Sequence, residues 1–378
     1  MSGSDTHALG GDLVLRGIFD PAKLDTCISC GYCLSACPTY QDTSVEASSP
    51  RGRINLMRAL EAGQLEEDDP TLQHQVSLCL GCRACEPVCP AGVPYGDLLE
   101  QWRDHQWRGG KAPRTVRLLM WLTGLPGPLL SVQRVARRYR RTKGVADVRT
   151  THYLLGCVER GLFPELSHAV AEVLPGTDAP AAQGCCGALH AHNGRSAWGA
   201  RLAERLGGQL PGTILTSSGG CAAHLAQHLG RDRVVEVSEA AGKATAGGTT
   251  LRRLPLRTTL QDSCHLRNGL GVSAEPRTLL SRISDYVELP SAGTCCGAAG
   301  TYSFVQPIES RQLIEAKIAE ALQLNVDVIV VNNPGCLRQY RLAVKHGRAS
   351  VRVEHIAVLL AEAGRPSTGT AGPGRSRT

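Results

Sequence analysis

The chain has 378 residues, 16 of them cysteine, and a formal net charge of +7. This length is enough for roughly two or three domains, and the cysteine density is well below that of a small disulfide-bonded scaffold. Only three Phe and four Trp are present, which leaves few stacking platforms for bases and argues against a nucleic-acid partner. No apolar run reaches the roughly eighteen residues that span a bilayer, and the first residues lack a signal-peptide pattern, so we expect a cytoplasmic protein.

The same cysteine pattern, C-x2-C-x2-C-x3-C-P, occurs at residues 27–38 and again at residues 79–90. In two-cluster ferredoxins, three cysteines of such a run bind one 4Fe-4S cluster and the fourth binds the other. The pattern therefore predicts two clusters with interlaced ligands. The predicted ligands are Cys27, Cys30, Cys33 and Cys89 for the first cluster, and Cys79, Cys82, Cys85 and Cys37 for the second. A zinc site or a disulfide framework is the alternative, but a structural zinc site typically uses two separated ligand pairs.

Helices are predicted around these cysteine runs. Ser49 is a capping residue, and Pro50 occupies the first helical position. Ile54, Leu56, Met57 and Leu60 then supply an apolar face, and Gly63 ends the helix. Further helices are predicted over residues 72–78 and 96–107, the latter with Leu98, Leu99, Trp102 and His105 facing inward. We therefore predict an N-terminal extension over residues 1–19 and a helical two-cluster ferredoxin-type domain over residues 20–110.

Residues 111–150 are predicted to be a linker with an apolar and a basic segment. The apolar stretch 116–130 contains Gly and Pro, so it cannot form one continuous helix. The basic run comprises Arg134, Arg137, Arg138, Arg140, Arg141 and Lys143. It fits a solvated helix face or, together with the apolar residues 118–122, an anchor on the surface of an anionic membrane.

The second half of the chain repeats one order of cysteines: a single Cys, a Cys-Cys-Gly-Ala sequence, and another single Cys. Apolar stretches predicted as strands lead to the single cysteines, and helical stretches predicted over residues 165–174, 197–206, 276–284 and 308–324 alternate with them. This pattern predicts two α/β lobes, over residues 151–245 and 255–363, and a disordered tail over residues 364–378. The predicted fold class is α+β multidomain, a helical ferredoxin-type domain followed by two repeated cysteine-rich lobes.

Four cysteines from each lobe are predicted to converge, because ligands collect at the carboxyl ends of strands in open α/β sheets. The candidate third and fourth metal sites are Cys157, Cys185, Cys186 and Cys221, and Cys264, Cys295, Cys296 and Cys336. Thiolate ligands fit an iron-sulfur cluster or zinc, and buried reduced thiols without a metal are the alternative. The glycine after each vicinal pair permits a positive φ.

Four histidines near these cysteines have two interpretations each. His224 follows Cys221 by one helical turn and is either a further ligand or an ordinary residue. His190, His192 and His265 flank the cysteine loops and either donate hydrogen bonds to ligating thiolates or have no such role.

Over about residues 20–363 the chain resembles the iron-sulfur subunits of glycolate oxidase. Besides the two cluster runs, the resemblance rests on the sequences at 37–40, 50–53, 184–190, 218–221, 264–266, 295–302 and 333–336. The most specific of these is Cys-Cys-Gly-Ala-Ala-Gly-Thr-Tyr at 295–302. In related heterodisulfide reductase subunits each lobe ends in Cys-x-x-Cys, whereas His224 and Gln339 occupy those positions here.

The resemblance implies a subunit that carries electrons from flavin-containing oxidase subunits, which oxidise glycolate to glyoxylate, toward quinone or another acceptor. It also implies peripheral contact with the inner face of the cytoplasmic membrane. No glycine-rich dinucleotide fingerprint or convincing acid–base pair is present, so neither a flavin, nor a nicotinamide, nor a catalytic residue is predicted on this chain. The alternatives are an iron-sulfur subunit for anaerobic glycerol 3-phosphate or lactate oxidation, a heterodisulfide-reductase-like subunit, and a zinc-stabilised scaffold.

Overall fold

The computed structural model describes residues 16–108, 112–124, 150–180 and 183–366. The chain divides into two compact units at Lys111 and Ala112. The predicted basic run lies outside the described residues, as do most of the predicted N-terminal extension and of the predicted tail. Within the described residues, a helical first unit and parallel sheets in the second confirm the predicted fold class.

The first unit, called the cluster unit below, is built from short helices around the two cysteine runs. Its helices are Pro21–Asp25, Pro38–Thr43, Pro50–Glu61, Pro70–Ser77 and Tyr95–Gln106, with a 3-10 turn at Glu46–Ser48. Its core includes Leu72, Leu98 and Trp102, which are fully buried. Burial of large apolar side chains stabilises such a small unit by roughly 1.5–3 kcal/mol per side chain.

The helix Pro50–Glu61 begins as predicted. The Ser49 side chain caps it by accepting a hydrogen bond from the Gly52 amide, and Pro50 occupies the first turn, where no amide donor is needed. Ile54, Met57 and Leu60 are buried. The helix ends just before Gly63, which has a φ of +69°.

The next two helices begin one or two residues earlier than predicted. Asp69 caps one of them through the Leu72 amide, and Pro70 supplies its first residue. The helix Tyr95–Gln106 buries Leu98 and Trp102 as expected, whereas His105 is only half-buried and lies 3.0 Å from the Glu67 carboxylate.

The second unit, called the lobe unit, contains two parallel sheets. The first has the strand order Thr151–Leu154, Thr213–Thr216, Val234–Glu236, and the second has the order Asp285–Tyr286, Arg257–Gln261, Val328–Val331, Arg352–His355. Its helices are Arg114–Gly124, Cys157–Leu162, Glu165–Val173, Ala188–Ala191, Ser196–Gln209, Gly219–Leu229, Val237–Ala246, Ala274–Ile283, Tyr302–Val305, Pro307–Gln323, Pro334–Gly347 and Ile356–Gly364, with a 3-10 turn at Arg231–Arg233 and a π-helical turn at His265–Gly269.

Each sheet is covered by helices, and its inner strands are largely buried. Val328–Val331 is buried at every position, as parallel strands covered on both faces require. In the two sheets, Leu154 pairs with Thr216 and Gln261 with Val331, so the carboxyl ends of neighbouring strands are level. This alignment places the following cysteine segments at one edge of each sheet.

The cysteine positions correct one detail of the sequence interpretation. Cys221 and Cys336 do not end strands but lie in the first turns of the helices Gly219–Leu229 and Pro334–Gly347. The Ser218 side chain caps the first of these helices through the Cys221 amide, and Pro334 starts the second. Both helices begin three residues after their strands, because capping residues interrupt the apolar run.

Candidate iron-sulfur and cysteine-rich sites

Two solvent-open cavities in the cluster unit are lined by cysteines. The first has a volume of about 410 Å³. All four predicted ligands of the first cluster line it: Cys27, Cys30, Cys33 and Cys89. Cys85 lines it as well. The second has a volume of about 340 Å³ and is lined by all four predicted ligands of the second cluster: Cys37, Cys79, Cys82 and Cys85.

The two cavities are adjacent, since Pro50, Cys85 and Tyr95 line both. The last cysteine of each run joins the cavity of the other run, as the interlaced pattern predicts for a ferredoxin. The assignment of these thiols as ligands stays a prediction, but their grouping fits two clusters.

The two cysteine loops share a backbone conformation. A residue with positive φ lies on each side of the middle cysteine: Ser29 and Gly31 around Cys30, and Gly81 and Arg83 around Cys82. Left-handed residues turn a loop sharply and direct successive amides inward. The repeated conformation thus follows from the repeated spacing, although only one residue of each pair is glycine.

Polar groups next to the cavity thiols fit anionic sulfur. The amides of Gly81 and Val93 lie 3.5 Å from the sulfurs of Cys79 and Cys89, respectively. The Tyr95 hydroxyl lies 3.6 Å from Cys79 Sγ. Without a metal, burial raises the pKa of the Cys85 thiol. Hydrogen bonds to sulfur and burial are two of the factors that set cluster potentials.

Arg53, which the sequence marks only as part of a short motif, belongs to the second site. Its side chain is fully buried and lines the second cavity. Its guanidinium donates to Gln75 O and, at 3.0 Å, to Thr39 Oγ1, and lies 3.9 Å from Cys37 Sγ. A Pro-Arg-Gly-Arg sequence gives no periodic signal that separates a buried arginine from an exposed one, so the sequence could not reveal this placement.

In the lobe unit the structure brings together the two predicted groups of four cysteines, called the first and second quartets. In the first, Cys186 Sγ lies 3.0 Å from Cys221 Sγ. In the second, Cys296 Sγ lies 3.2 Å from Cys336 Sγ. The vicinal cysteines also interact with the remaining thiols, Cys157 and Cys264.

The thiols of each quartet differ in acidity. Hydrogen bonds from Cys157 and then Cys186 lower the pKa of Cys185. In the second quartet, hydrogen bonds from Cys295 and Cys336 lower the pKa of Cys296. None of the sixteen cysteines forms a disulfide bond. Within residues 16–108, 112–124, 150–180 and 183–366, no group of three or more His, Cys, Asp or Glu side chains is arranged to hold a metal ion.

The glycine after each vicinal pair has the predicted positive φ, at +90° for Gly187 and +79° for Gly297. A Cβ atom at Gly187 would lie 2.1 Å from Gly199 O, and one at Gly297 would lie 2.9 Å from Ser310 O. The two glycines therefore let their cysteine loops closely approach the helices Ser196–Gln209 and Pro307–Gln323, respectively.

The histidines near the quartets differ in how they relate to the cysteines. His265 Nδ1 lies 3.5 Å from Cys264 Sγ, within range of a hydrogen bond to sulfur. Burial lowers the pKa of His190, whereas the negative charge of Cys185 acts to raise it. His224 is buried on the helix Gly219–Leu229, with its ring 6.4 Å from that of His192. The predicted roles of these histidines stay predictions.

The second quartet has a cationic neighbour that the sequence interpretation missed. Lys317 is buried and donates a hydrogen bond to Ser291 O at 2.6 Å. Burial lowers the pKa of Lys317, whereas the negative charges of Cys296 and Cys295 act to raise it. The sequence signal for this lysine was weak, because it lies on a helix among exposed charged residues.

Comparison with protein families agrees with this organisation. Residues 23–93 match a 4Fe-4S dicluster domain, and residues 151–226 and 258–341 each match a cysteine-rich domain. The first match contains all eight cavity cysteines, and the other two contain the quartets.

Similar proteins are known over nearly the whole length. The chain is 33% identical to a protein of Bacillus subtilis (strain 168) described as a probable glycolate oxidase iron-sulfur subunit, over 91% of this chain and 95% of that protein. It is 31% identical to the glycolate oxidase iron-sulfur subunit of Escherichia coli (strain K12), over 92% and 94% of the two chains. It is 28% identical to a fumarate reductase (CoM/CoB) subunit of Methanothermobacter marburgensis, over 90% of this chain and 72% of that protein.

Proposed function

The chain belongs to the family of glycolate oxidase iron-sulfur subunits, and we propose that it carries electrons away from flavin-containing partner subunits that oxidise glycolate to glyoxylate. The observation that carries this proposal is the pair of adjacent cavities, each lined by four cysteines of the interlaced pattern. A bound 4Fe-4S cluster would supply reversible one-electron chemistry at each site. Glycolate oxidation releases two electrons and two protons; the electrons would cross this chain singly, and the protons would leave at the flavin site.

The chain's own residues would hold and insulate these clusters. Cys27, Cys30, Cys33 and Cys89 would hold the first, and Cys79, Cys82, Cys85 and Cys37 would hold the second. Amides and Tyr95 donate toward the sulfurs, and the cavity walls include Ile54, Val93 and Leu80, which restrict water. The first site is nearer the surface, because Cys30 is exposed whereas Cys37, Cys79 and Cys85 are buried.

Anaerobic co-production with candidate flavin subunits tests this function. We expect the purified complex to reduce an artificial dye with glycolate, and the chain to contain iron and acid-labile sulfide. Lactate and glycerol 3-phosphate, supplied at equal concentration, are the matched substrates. A complex that contains both clusters but responds only to one of these substrates would contradict the glycolate assignment.

We further propose that the final acceptor is a quinone and that the chain contacts the cytoplasmic face of the membrane. The helix Arg114–Gly124 supports the membrane contact, because Leu118 and Trp121 are 56% and 61% exposed on one face while Val116 and Met120 are buried. An exposed apolar pair of this kind inserts favourably at a lipid surface, and the basic run that follows would attract anionic head groups. Within the described residues no helix combines the length and the apolarity that crossing a membrane requires.

Vesicle binding tests the membrane proposal. Replacing Leu118 and Trp121 by serine is expected to weaken binding to anionic vesicles, as is neutralising Arg137, Arg138, Arg140 and Arg141. Leu162→Ser, at a residue that is 54% exposed elsewhere in the lobe unit, is the control. Equal binding by all variants would contradict membrane contact.

A further inference from the structure

We propose that Arg53 is the counter-ion of the second iron-sulfur site and that its charge places the reduction potential of this site above that of the first. The inference rests on the proposed function, since it takes the cysteines of the second cavity as cluster ligands. It assigns a role in ordering electron flow to one residue that is not a ligand.

Arg53 is the best-buried cation at either cavity. Its relative exposure is 0%, and it lies in the first turn of the helix Pro50–Glu61, whose first residue lines both cavities. An arginine is protonated at all ordinary pH values, so this position holds a full positive charge away from water. The amino end of the helix adds a partial positive charge on the same side.

The charge of Arg53 has no carboxylate partner among the described residues. Its hydrogen-bond acceptors there are the Gln75 carbonyl, the Thr39 hydroxyl and the Cys37 sulfur. An unpaired buried charge is costly, and proteins normally compensate it with an opposite charge. A 4Fe-4S cluster with four thiolates, whose net charge is about −2 when oxidised and about −3 when reduced, would supply that compensation.

The other arginines at the cavities differ from Arg53 because they are already paired. Arg51 lines the first cavity and donates to Glu46 at 2.7 Å, and Arg83 lines the second cavity and donates to Glu86 at 2.7 Å. Arg103 donates to the Cys79 carbonyl at 2.9 Å but lines neither cavity. The first cavity therefore has a neutralised arginine, whereas the second has an additional uncompensated one.

The direction of the effect follows from charge. Reduction adds one negative charge to the second site, and a fixed cation a few ångströms away stabilises the reduced form more than the oxidised form. Because the Arg53 side chain is itself fully buried, water screens its charge only weakly, so its effect on the reduction equilibrium is larger than that of an exposed cation. Electrons that arrive at the first site would then pass downhill to the second.

Redox titration of the anaerobically isolated full-length chain, followed by electron paramagnetic resonance, tests the proposal. We expect Arg53→Gln to lower the one-electron reduction equilibrium constant of the second cluster by about tenfold or more, which corresponds to about 59 mV, and to leave the first unchanged. Cys82→Ser identifies the second cluster's signal, because it alters or removes only that signal. Arg53→Lys, which keeps the charge, is expected to retain most of the wild-type potential.

The matched control is Arg83→Gln combined with Glu86→Gln, which removes an ion pair of zero net charge from the same cavity. This control is expected to shift the potential less than Arg53→Gln does. If Arg53→Gln fails to keep the second cluster, Arg53→Lys decides: retention of the cluster and its potential supports a charge role, and loss of the cluster overturns it. Unchanged potentials in an Arg53→Gln chain with both clusters would also overturn the proposal, whereas a wild-type chain without iron would instead overturn the proposed function.

Discussion

The cysteines of the cluster unit line open cavities, whereas those of the lobe unit contact one another. In the cluster unit, left-handed residues on both sides of Cys30 and Cys82 hold each loop open around a cavity. In the lobe unit, Cys186 and Cys221 come together at a loop and a helix start, with sulfurs 3.0 Å apart. Local backbone geometry, rather than the number of thiols, thus separates the two kinds of site.

This difference has chemical consequences. A cavity has room for a cluster of several metal atoms. A tetrahedral zinc site, with Zn–S bonds of about 2.3 Å, needs sulfurs about 3.8 Å apart. The closest sulfurs in the two quartets, at 3.0 and 3.2 Å, would have to separate by several tenths of an ångström to hold such an ion. The cysteines of the cluster unit therefore surround open space, whereas the closest thiols of the quartets would have to move apart to hold an ion.

The largest predicted effect is the loss of bound iron when a cavity cysteine, but not a quartet cysteine, is replaced. Cys85 is a predicted ligand of the second cluster only, so we expect Cys85→Ser to lose about four of the iron atoms and to reduce glycolate-dependent electron transfer to background. Cys186→Ser, in the first quartet, is the matched control and should retain the iron of the cluster unit. Iron analysis of both variants after anaerobic purification measures this. Equal iron loss in the two variants would remove the distinction between cavities and quartets.

Thiol reactivity offers a sharper contrast. In the chain stripped of iron, the exposed Cys30 should react with iodoacetamide much faster than the buried Cys186 and Cys221. In the chain isolated with iron, Cys30 should be protected, because its sulfur is then a ligand. Mass spectrometry of the labelled peptides gives both rates. Rapid labelling of Cys30 in the iron-containing chain would argue against its role as a ligand.

The lobe unit should lose stability as the pH rises, because it contains a buried carboxyl group at Glu236. Burial raises the pKa of Glu236, at the start of a lobe-unit helix, from 4.5 to about 8. The folded state therefore keeps a proton that the unfolded state loses near pH 4.5, so this contribution is complete below pH 4.5 and is lost as pH rises through about 8. The change is on the order of 5 kcal/mol across that range.

Glu236→Gln should flatten this pH dependence, although it can weaken the helix cap at every pH. The slope of unfolding free energy against pH, from denaturant titrations between pH 5 and pH 9, is the measurement. Glu204→Gln, on an exposed helix face, is the control and should keep the wild-type slope. An unchanged slope in Glu236→Gln would show that this carboxyl does not carry the effect.

The smallest predicted effect concerns the glycines that close the quartets. Gly187→Ala forces a left-handed alanine, at a cost of about 1–2 kcal/mol, and also places Cβ 2.1 Å from Gly199 O. We expect its melting temperature to fall by several degrees, at about 2–4 °C per kcal/mol for a unit of this size. Gly297→Ala should cost less, because its closest contact is 2.9 Å.

Gly161→Ala is the control for both glycine variants, because nothing lies within 4 Å of the added methyl group. It should leave the melting temperature unchanged or slightly higher. A Gly187→Ala chain as stable as this control would show that the first lobe tolerates a wider loop.

Much of this organisation could be predicted from the sequence, because it depends on spacing. The interlaced cysteine runs predicted which thiols share a cavity, and the Ser49-Pro50 cap predicted a helix start. The short strands Asp285–Tyr286 and Arg352–His355 could not be predicted, since tertiary pairing rather than an apolar run creates them. Burial of Arg53 and Lys317 was equally unpredictable, because only the folded surroundings distinguish them from solvated charges.

The most direct test of the central claim is the iron and acid-labile sulfide content of the full-length chain, purified without oxygen. Two clusters in the cavities predict about eight iron atoms and about eight sulfides per chain. They also predict two reducible signals, each altered by replacing a cysteine of one cavity. A colourless chain without iron, or one that contains zinc and no sulfide, would contradict the account.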